Sequence, residues 1–180
     1  MEGNSSCVID SYAVVTGGFS FEPDKKVSTS DIASVINFVK DGDRNAFTIV
    51  NVGALKQKRY FHQTFYCPDL KRIFALGGLQ VVSSNPISLK WLSSVEKVNF
   101  DPSNPSKHKF EWNDCKEGLK KARSNFNGHV LGKFLYIFGG FSNIDLNENT
   151  IEKYDMENES SQILKLNIES LAGWGFPAGS

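Results

Sequence analysis

The chain has 180 residues, 40% of them hydrophobic and 22% charged, and its 20 basic side chains balance 20 acidic ones. That is enough apolar material for one domain with a sizeable core and too much for a disordered segment. The even charge favours neither nucleic acid nor an anionic membrane surface as partner. The opening Met-Glu-Gly-Asn-Ser-Ser-Cys lacks the basic segment and apolar core of a secretory signal, and no apolar run approaches the roughly 20 residues that span a bilayer. Cys7, Cys67 and Cys115 are odd in number and far apart, which predicts reduced thiols in a cytoplasmic protein and no zinc site.

In chain order, three short apolar runs end in paired glycines: Tyr-Ala-Val-Val-Thr-Gly-Gly at 12–18, Arg-Ile-Phe-Ala-Leu-Gly-Gly at 72–78 and Phe-Leu-Tyr-Ile-Phe-Gly-Gly at 134–140. Gly17, Gly77 and Gly139 are 60 and 62 residues apart, so the chain reads as three copies of one unit. Each unit is predicted to hold four strands. The first lies before the glycine run, at 2–7, 62–67 and 124–129; counting back ten from each glycine makes Cys7, Cys67 and His129 equivalent. The third is predicted at 34–38, 94–98 and 150–154, and the fourth at 47–50, 110–112 and 163–166. Turns follow at 55–59, 119–123 and 171–175. These runs are too short for helices and rich in Val, Ile, Phe and Tyr, which suit a pleated surface. Between them, 22–24, 41–43, 84–86 and 101–105 carry the Pro, Asp, Asn and Gly of turns. A paired glycine at a strand end permits positive φ and close backbone approach.

An aromatic-rich strand ending in Gly-Gly, then Ser-Val-Glu or Thr-Ile-Glu, then an arginine before the next unit, resembles the kelch repeat. The likeness covers nearly the whole chain and is closest in the third copy, with Arg123, His129, Tyr136, Gly139, Gly140, Glu152, Tyr154 and Asp155. The second copy keeps Arg59, His62, Phe74, Gly77, Gly78, Glu96 and Trp112, with Val98 at the tyrosine. The first keeps Gly17 and Gly18, with Val14 for the strand tyrosine and Ile36 for the glutamate. The resemblance implies an all-β fold of three four-stranded antiparallel blades of a kelch-type β-propeller, with repeats at about 2–58, 59–122 and 123–171 and a tail at 172–180. Three blades cannot close a ring that takes about four to eight. The ring is therefore expected to be incomplete, to be finished by further blades of a longer chain, or to be finished by a homo-oligomer. The repeat exceeds the usual length of about 50 residues mainly at 19–33 and 79–93, on the face that in this family commonly binds partners.

The resemblance implies a non-enzymatic protein-binding module, an adaptor or scaffold, whose partner is a protein and neither nucleic acid nor membrane. The alternative is part of a propeller enzyme or metal-dependent factor with its catalytic residues outside this chain. Arg59 and Arg123 would either grip an acidic peptide through bidentate hydrogen bonds or tie adjacent blades; their recurrence favours tying. Phe19, Phe141, Lys90 and Trp91 are the other candidate partner contacts, since tryptophan is enriched at binding hot spots. Gly17, Gly18, Gly77, Gly78, Gly139, Gly140, Tyr136 and Tyr154 read as repeat-defining, and Phe74 and Trp112 as packing. His62, His108 and His129 do not form a metal-binding pattern. With no phosphate loop, nucleophile elbow or triad spacing, no catalytic residue and no cofactor are expected.

Overall fold

The computed structural model describes residues 2–21, 27–41, 44–105, 110–143 and 150–164. In these residues the chain is all-β, and no helix is long and apolar enough to cross a membrane. The first blade pairs β1 (Ser5–Ile9), β2 (Tyr12–Thr16), β5 (Ile32–Asp41) and β6 (Arg44–Ala54), with β3 (Phe19–Phe21) and β4 (Val27–Thr29) forming a separate hairpin after the glycines. The second holds β7 (Gln63–Cys67), β8 (Arg72–Leu76), β11 (Val95–Asn99) and β12 (Asn113–Asp114), with the hairpin β9 (Leu79–Ser84) and β10 (Ile87–Trp91) in the same place. The third is β13 (Asn127–Leu131), β14 (Phe134–Phe138), β15 (Ile151–Asp155) and β16 (Ser160–Leu164). The three four-stranded antiparallel blades expected from the sequence are present. The long segments after the first two glycine pairs are hairpins rather than loops.

Several boundaries differ from the sequence reading. The fourth strand of the second blade is Asn113–Asp114, not 110–112. Trp112 is 2% exposed and Phe110 packs beside it, so both are drawn into the core instead of the sheet edge. In the third blade the last strand begins at Ser160, and the expected positions 165–166 and 171–175 lie outside the described residues. In the first blade, β5 and β6 run ten and eleven residues, so their hairpin extends well past the other blades' strands.

Pairing register also changes two equivalences. Cys7 pairs with Val14 and His129 with Tyr136, each partner three residues before its first glycine. Cys67 pairs with Arg72, which is five before Gly77; the residue facing Phe74 is Phe65. The β7–β8 turn takes four residues, 68–71, where the other two blades use two, so counting along the chain slips by two. Cys67 therefore corresponds to Ile9 and Leu131, and Cys7 to Phe65 and His129. Likewise Glu96 faces Ala75 and Glu152 faces Ile137, each two before the glycine. The first-blade residue at that position is Ser34, facing Val15; Ile36 faces Ala13 and so takes the place of Val98 and Tyr154.

The core lies between blades, not within them. Ile9, Val14 and Val35 of the first blade meet Ile73, Val98 and Trp112 of the second. Phe74, Leu76 and Cys67 on the second blade's other face meet Leu135, Ile137 and Tyr154 of the third. A four-stranded sheet has two faces, and each such joint buries one face from each neighbour; burying a large apolar side chain stabilises by about 1.5–3 kcal/mol. The cysteines are free thiols, and burial pushes that of Cys7 up to about 12.

Candidate interaction face

Arg59 and Arg123 are fully buried, and each bridges two blades. The carbonyl of Arg59 accepts from Gly18 N at 2.8 Å on the first blade. Its guanidinium reaches the second blade, donating to Gly77 O at 2.7 Å and to Glu96 Oε1 at 2.6 Å. Glu96 also accepts from the backbone N–H groups of Lys56 and Gln57, at 2.6 and 3.1 Å. One joint later the arrangement repeats. Arg123 O accepts from Gly78 N at 2.8 Å, its Nη1 donates to Gly139 O at 2.9 Å, and its Nη2 to Glu152 Oε2 at 3.1 Å. In each arginine the Nη atoms bond intrachain partners while Nε has none among the described residues, and the fully buried side chain leaves no surface for an acidic peptide. Burial lowers the Arg59 pKa from its ordinary value, and the Glu96 carboxylate opposes that shift.

Glycine is needed here for space as well as conformation. Gly77 has φ +62, and a Cβ there would lie 2.6 Å from Arg123 O and 2.8 Å from the Phe126 ring. The side chain three residues after each arginine fills the same wedge: His62 after Arg59, Phe126 after Arg123. His62 is 1% exposed. Its Nε2 lies 2.7 Å from Thr16 Oγ1, which is 2.6 Å from Thr64 Oγ1, while its Nδ1 has no partner among the described residues. Burial, reinforced by the nearby Arg59 charge, holds the His62 pKa well below the usual range. His62 is thus a neutral wedge residue. His129 is exposed on β13, and His108 lies outside the described residues.

The remaining candidates lie on the side of the blades reached just past the glycines. Phe19 is half-buried in an edge-to-face aromatic group with Phe21, Tyr60 and Phe61, at centroid separations of 5.4, 5.0 and 5.9 Å. Sequence reasoning missed Phe61. It has φ +53, rare for a bulky residue, and occupies the repeat position of Gly3 (φ +62) and Asn125 (φ +50). Its N–H donates to Gly3 O at 2.7 Å and its carbonyl accepts from Asn125 N at 2.9 Å, a relay from blade to blade. The signal was available: Gly and Asn, the residues most tolerant of that conformation, stand at the same position in the other two copies.

Phe141 bridges Ser124 and is partly exposed, Lys90 is exposed on β10, and Trp91, at the end of β10, is half-buried beside a concavity it lines with Gln57, Leu92 and Ser94. The structure does not bring Trp91 or Phe141 into the Phe19 group. It does add exposed apolar side chains to those candidates. Phe21 is 66% exposed on β3, and Val82, Ile87 and Leu89 are exposed on β9 and β10. The two hairpins adjoin through β4 and β9.

Comparison with known proteins bears on the whole arrangement. A family model described as Kelch motif matches residues 122–164. No curated protein matches the chain. A solved structure titled "Structure of YjhT" is similar to it with a TM-score of 0.64 at 12% identity, over 91% of this chain and 51% of that one. The chain thus spans about half the length of that structure, and at this identity the likeness concerns the fold alone.

Proposed function

We propose, from the premise that this chain is built of kelch-type propeller blades, that it is a non-enzymatic binding module that takes an apolar segment of a partner protein on the face carrying β3–β4 and β9–β10. The observation that carries the reading is the exposure of Phe21, Val82, Ile87 and Leu89 on two adjoining hairpins. Exposed apolar side chains gathered on neighbouring elements are the surface a partner's apolar segment would cover. Below it, the Phe19, Tyr60 and Phe61 rings stiffen the base of the hairpins. Lys90 next to Trp91 adds a cation at the rim, suited to a carboxylate on the partner. An adaptor or scaffold role is this binding event used to hold a second protein.

The test is selection of peptides from a random display library, followed by amide-exchange mapping of the bound peptide on the full chain. Protection of β3–β4 and β9–β10, with binding lost in Phe21→Glu and Ile87→Glu variants of unchanged melting temperature, supports the reading. Peptides that bind those variants as well as they bind the unchanged protein, or that protect only the outer strands, overturn it.

A further inference from the structure

The joint between the first and second blades and the joint between the second and third are built alike, but they differ at one set of positions. At the first joint these hold Thr16, His62 and Thr64. At the second they hold Leu76, Phe126 and Gly128. Thr16 and Leu76 each stand one before their first glycine, and His62 and Phe126 each stand three after their arginine. Thr64 faces Ala75 and Gly128 faces Ile137, each two before the glycine. A hydrogen-bonded polar set is thus exchanged, as a set, for one with no polar side chain. Thr16, His62 and Thr64 are buried, and so are Leu76 and Phe126. The second joint shows that packing at this place does not require a histidine.

The first joint suits the neutral imidazole and not the imidazolium. Thr16 Oγ1 lies 2.7 Å from His62 Nε2 and 2.6 Å from Thr64 Oγ1, whereas Nδ1 has no partner among the described residues. The side chain is held from both sides: a Cβ on Gly17 would lie 2.6 Å from His62 Cε1, and one on Gly78 would lie 2.7 Å from His62 Cβ. A protonated ring donates from both nitrogens. Its Nε2–H could pass to Thr16, and the Thr16 hydroxyl to Thr64, but its Nδ1–H would be buried without an acceptor. The charged group acting on the ring is Arg59, of like sign. Glu96 is bound to that arginine, and Tyr60 turns its ring to Phe19 and Phe61. Thr16, Thr64 and the paired glycines bring no carboxylate. Burial and the arginine therefore both disfavour the charged ring.

We propose that protonation of His62 opens the joint between the first and second blades in acid, while the joint between the second and third blades holds. Opening gives the ring to water, where a histidine takes its proton near about pH 6.5. The closed joint is then fully favoured above that pH and loses at most about tenfold per pH unit below it. The hairpins β3–β4 and β9–β10 follow the glycines of the first and second blades and adjoin across this joint. Opening parts them, so acid would also release a segment bound there; this consequence rests on the binding face proposed above.

Amide exchange on the full chain without peptide tests the joint itself, read strand by strand at about pH 7 and about pH 5 and corrected for intrinsic rates. The opening constant of β1 and β2 is expected to rise more than about tenfold at the lower pH, with β14 and β15 unchanged. His62→Phe and His62→Gln cannot titrate there, and either is expected to abolish the rise; the glutamine also keeps a group able to bond Thr16. Equal exchange of β1 and β2 at both pH values, an equal rise in β14 and β15, or a rise that persists in the variants would each overturn the proposal. Peptide affinity at the two pH values is read separately. A peptide held equally well at about pH 5, where β1 and β2 have opened, would overturn only the link to the hairpin face, which keeps the two readings distinguishable.

Discussion

Replacing Glu96 by glutamine tests whether the buried arginine-glutamate pairs organise the joints. The substitution keeps the shape of the side chain but only one of the two oxygens that accept from Lys56 N and Gln57 N, and it leaves the guanidinium of Arg59 fully buried without the Glu96 carboxylate. Removing one partner of a buried pair costs about 3–5 kcal/mol. For a domain of this size each kcal/mol moves the melting temperature by roughly 2–4 °C, so the variant should melt about 6–20 °C lower. Arg59→Met should cost a similar amount, because it leaves the Glu96 carboxylate fully buried without its counter-charge. The double variant should cost clearly less than the sum of the two, since it strands no charge, and Ser34 shows that a blade can form without the acid. The assay is thermal and denaturant unfolding of all four proteins at one protein concentration, read as a double-mutant cycle. Costs below about 1 kcal/mol for Glu96→Gln, or strictly additive single costs, would refute the argument that the pair is a coupled unit.

Three further outcomes follow from the same geometry. Gly77→Ala should destabilise by about 2 kcal/mol or more, because it combines a left-handed backbone with a Cβ pressed on Arg123 O and the Phe126 ring; a melting temperature equal to that of the unchanged protein would contradict it. His62 is held neutral in the fold, while in the unfolded chain it titrates near about 6.5. Its contribution is therefore complete above that pH and is lost as pH falls below it, by at most about 1.4 kcal/mol per pH unit. His62→Phe, the residue used at the equivalent position 126, should flatten the acid side of the stability profile, and an unchanged slope there would count against a neutral His62. Cys67 has no exposed surface, and burial raises the pKa of its thiol, so it should react with an alkylating reagent only on unfolding. Mass mapping of rapid labelling at Cys67 in the native state would contradict that.

Much of the fold was legible in the chain because the signals that specify it are local. Three apolar runs ending in Gly-Gly, with turn residues between them, declare three sheets of short strands. The glycines do so because their backbone conformation admits little else, and the repeat spacing survives variable turns. The roles of Arg59 and Arg123 as ties were also readable from their recurrence. What counting along the chain could not settle was register. A hairpin turn of four residues at 68–71, in place of two, shifts every position before it, so Cys67 belongs with Ile9 rather than with Cys7. Hydrogen bonding between strands distant in sequence decides that Ser34, and not Ile36, replaces the glutamate. The aromatic group around Phe61 and the hairpins past the glycines likewise come from contacts between units. Composition and period determined what kind of sheets this chain makes; only the packing of one blade on the next determined which side chains are buried in the joints and which, among the described residues, stay exposed.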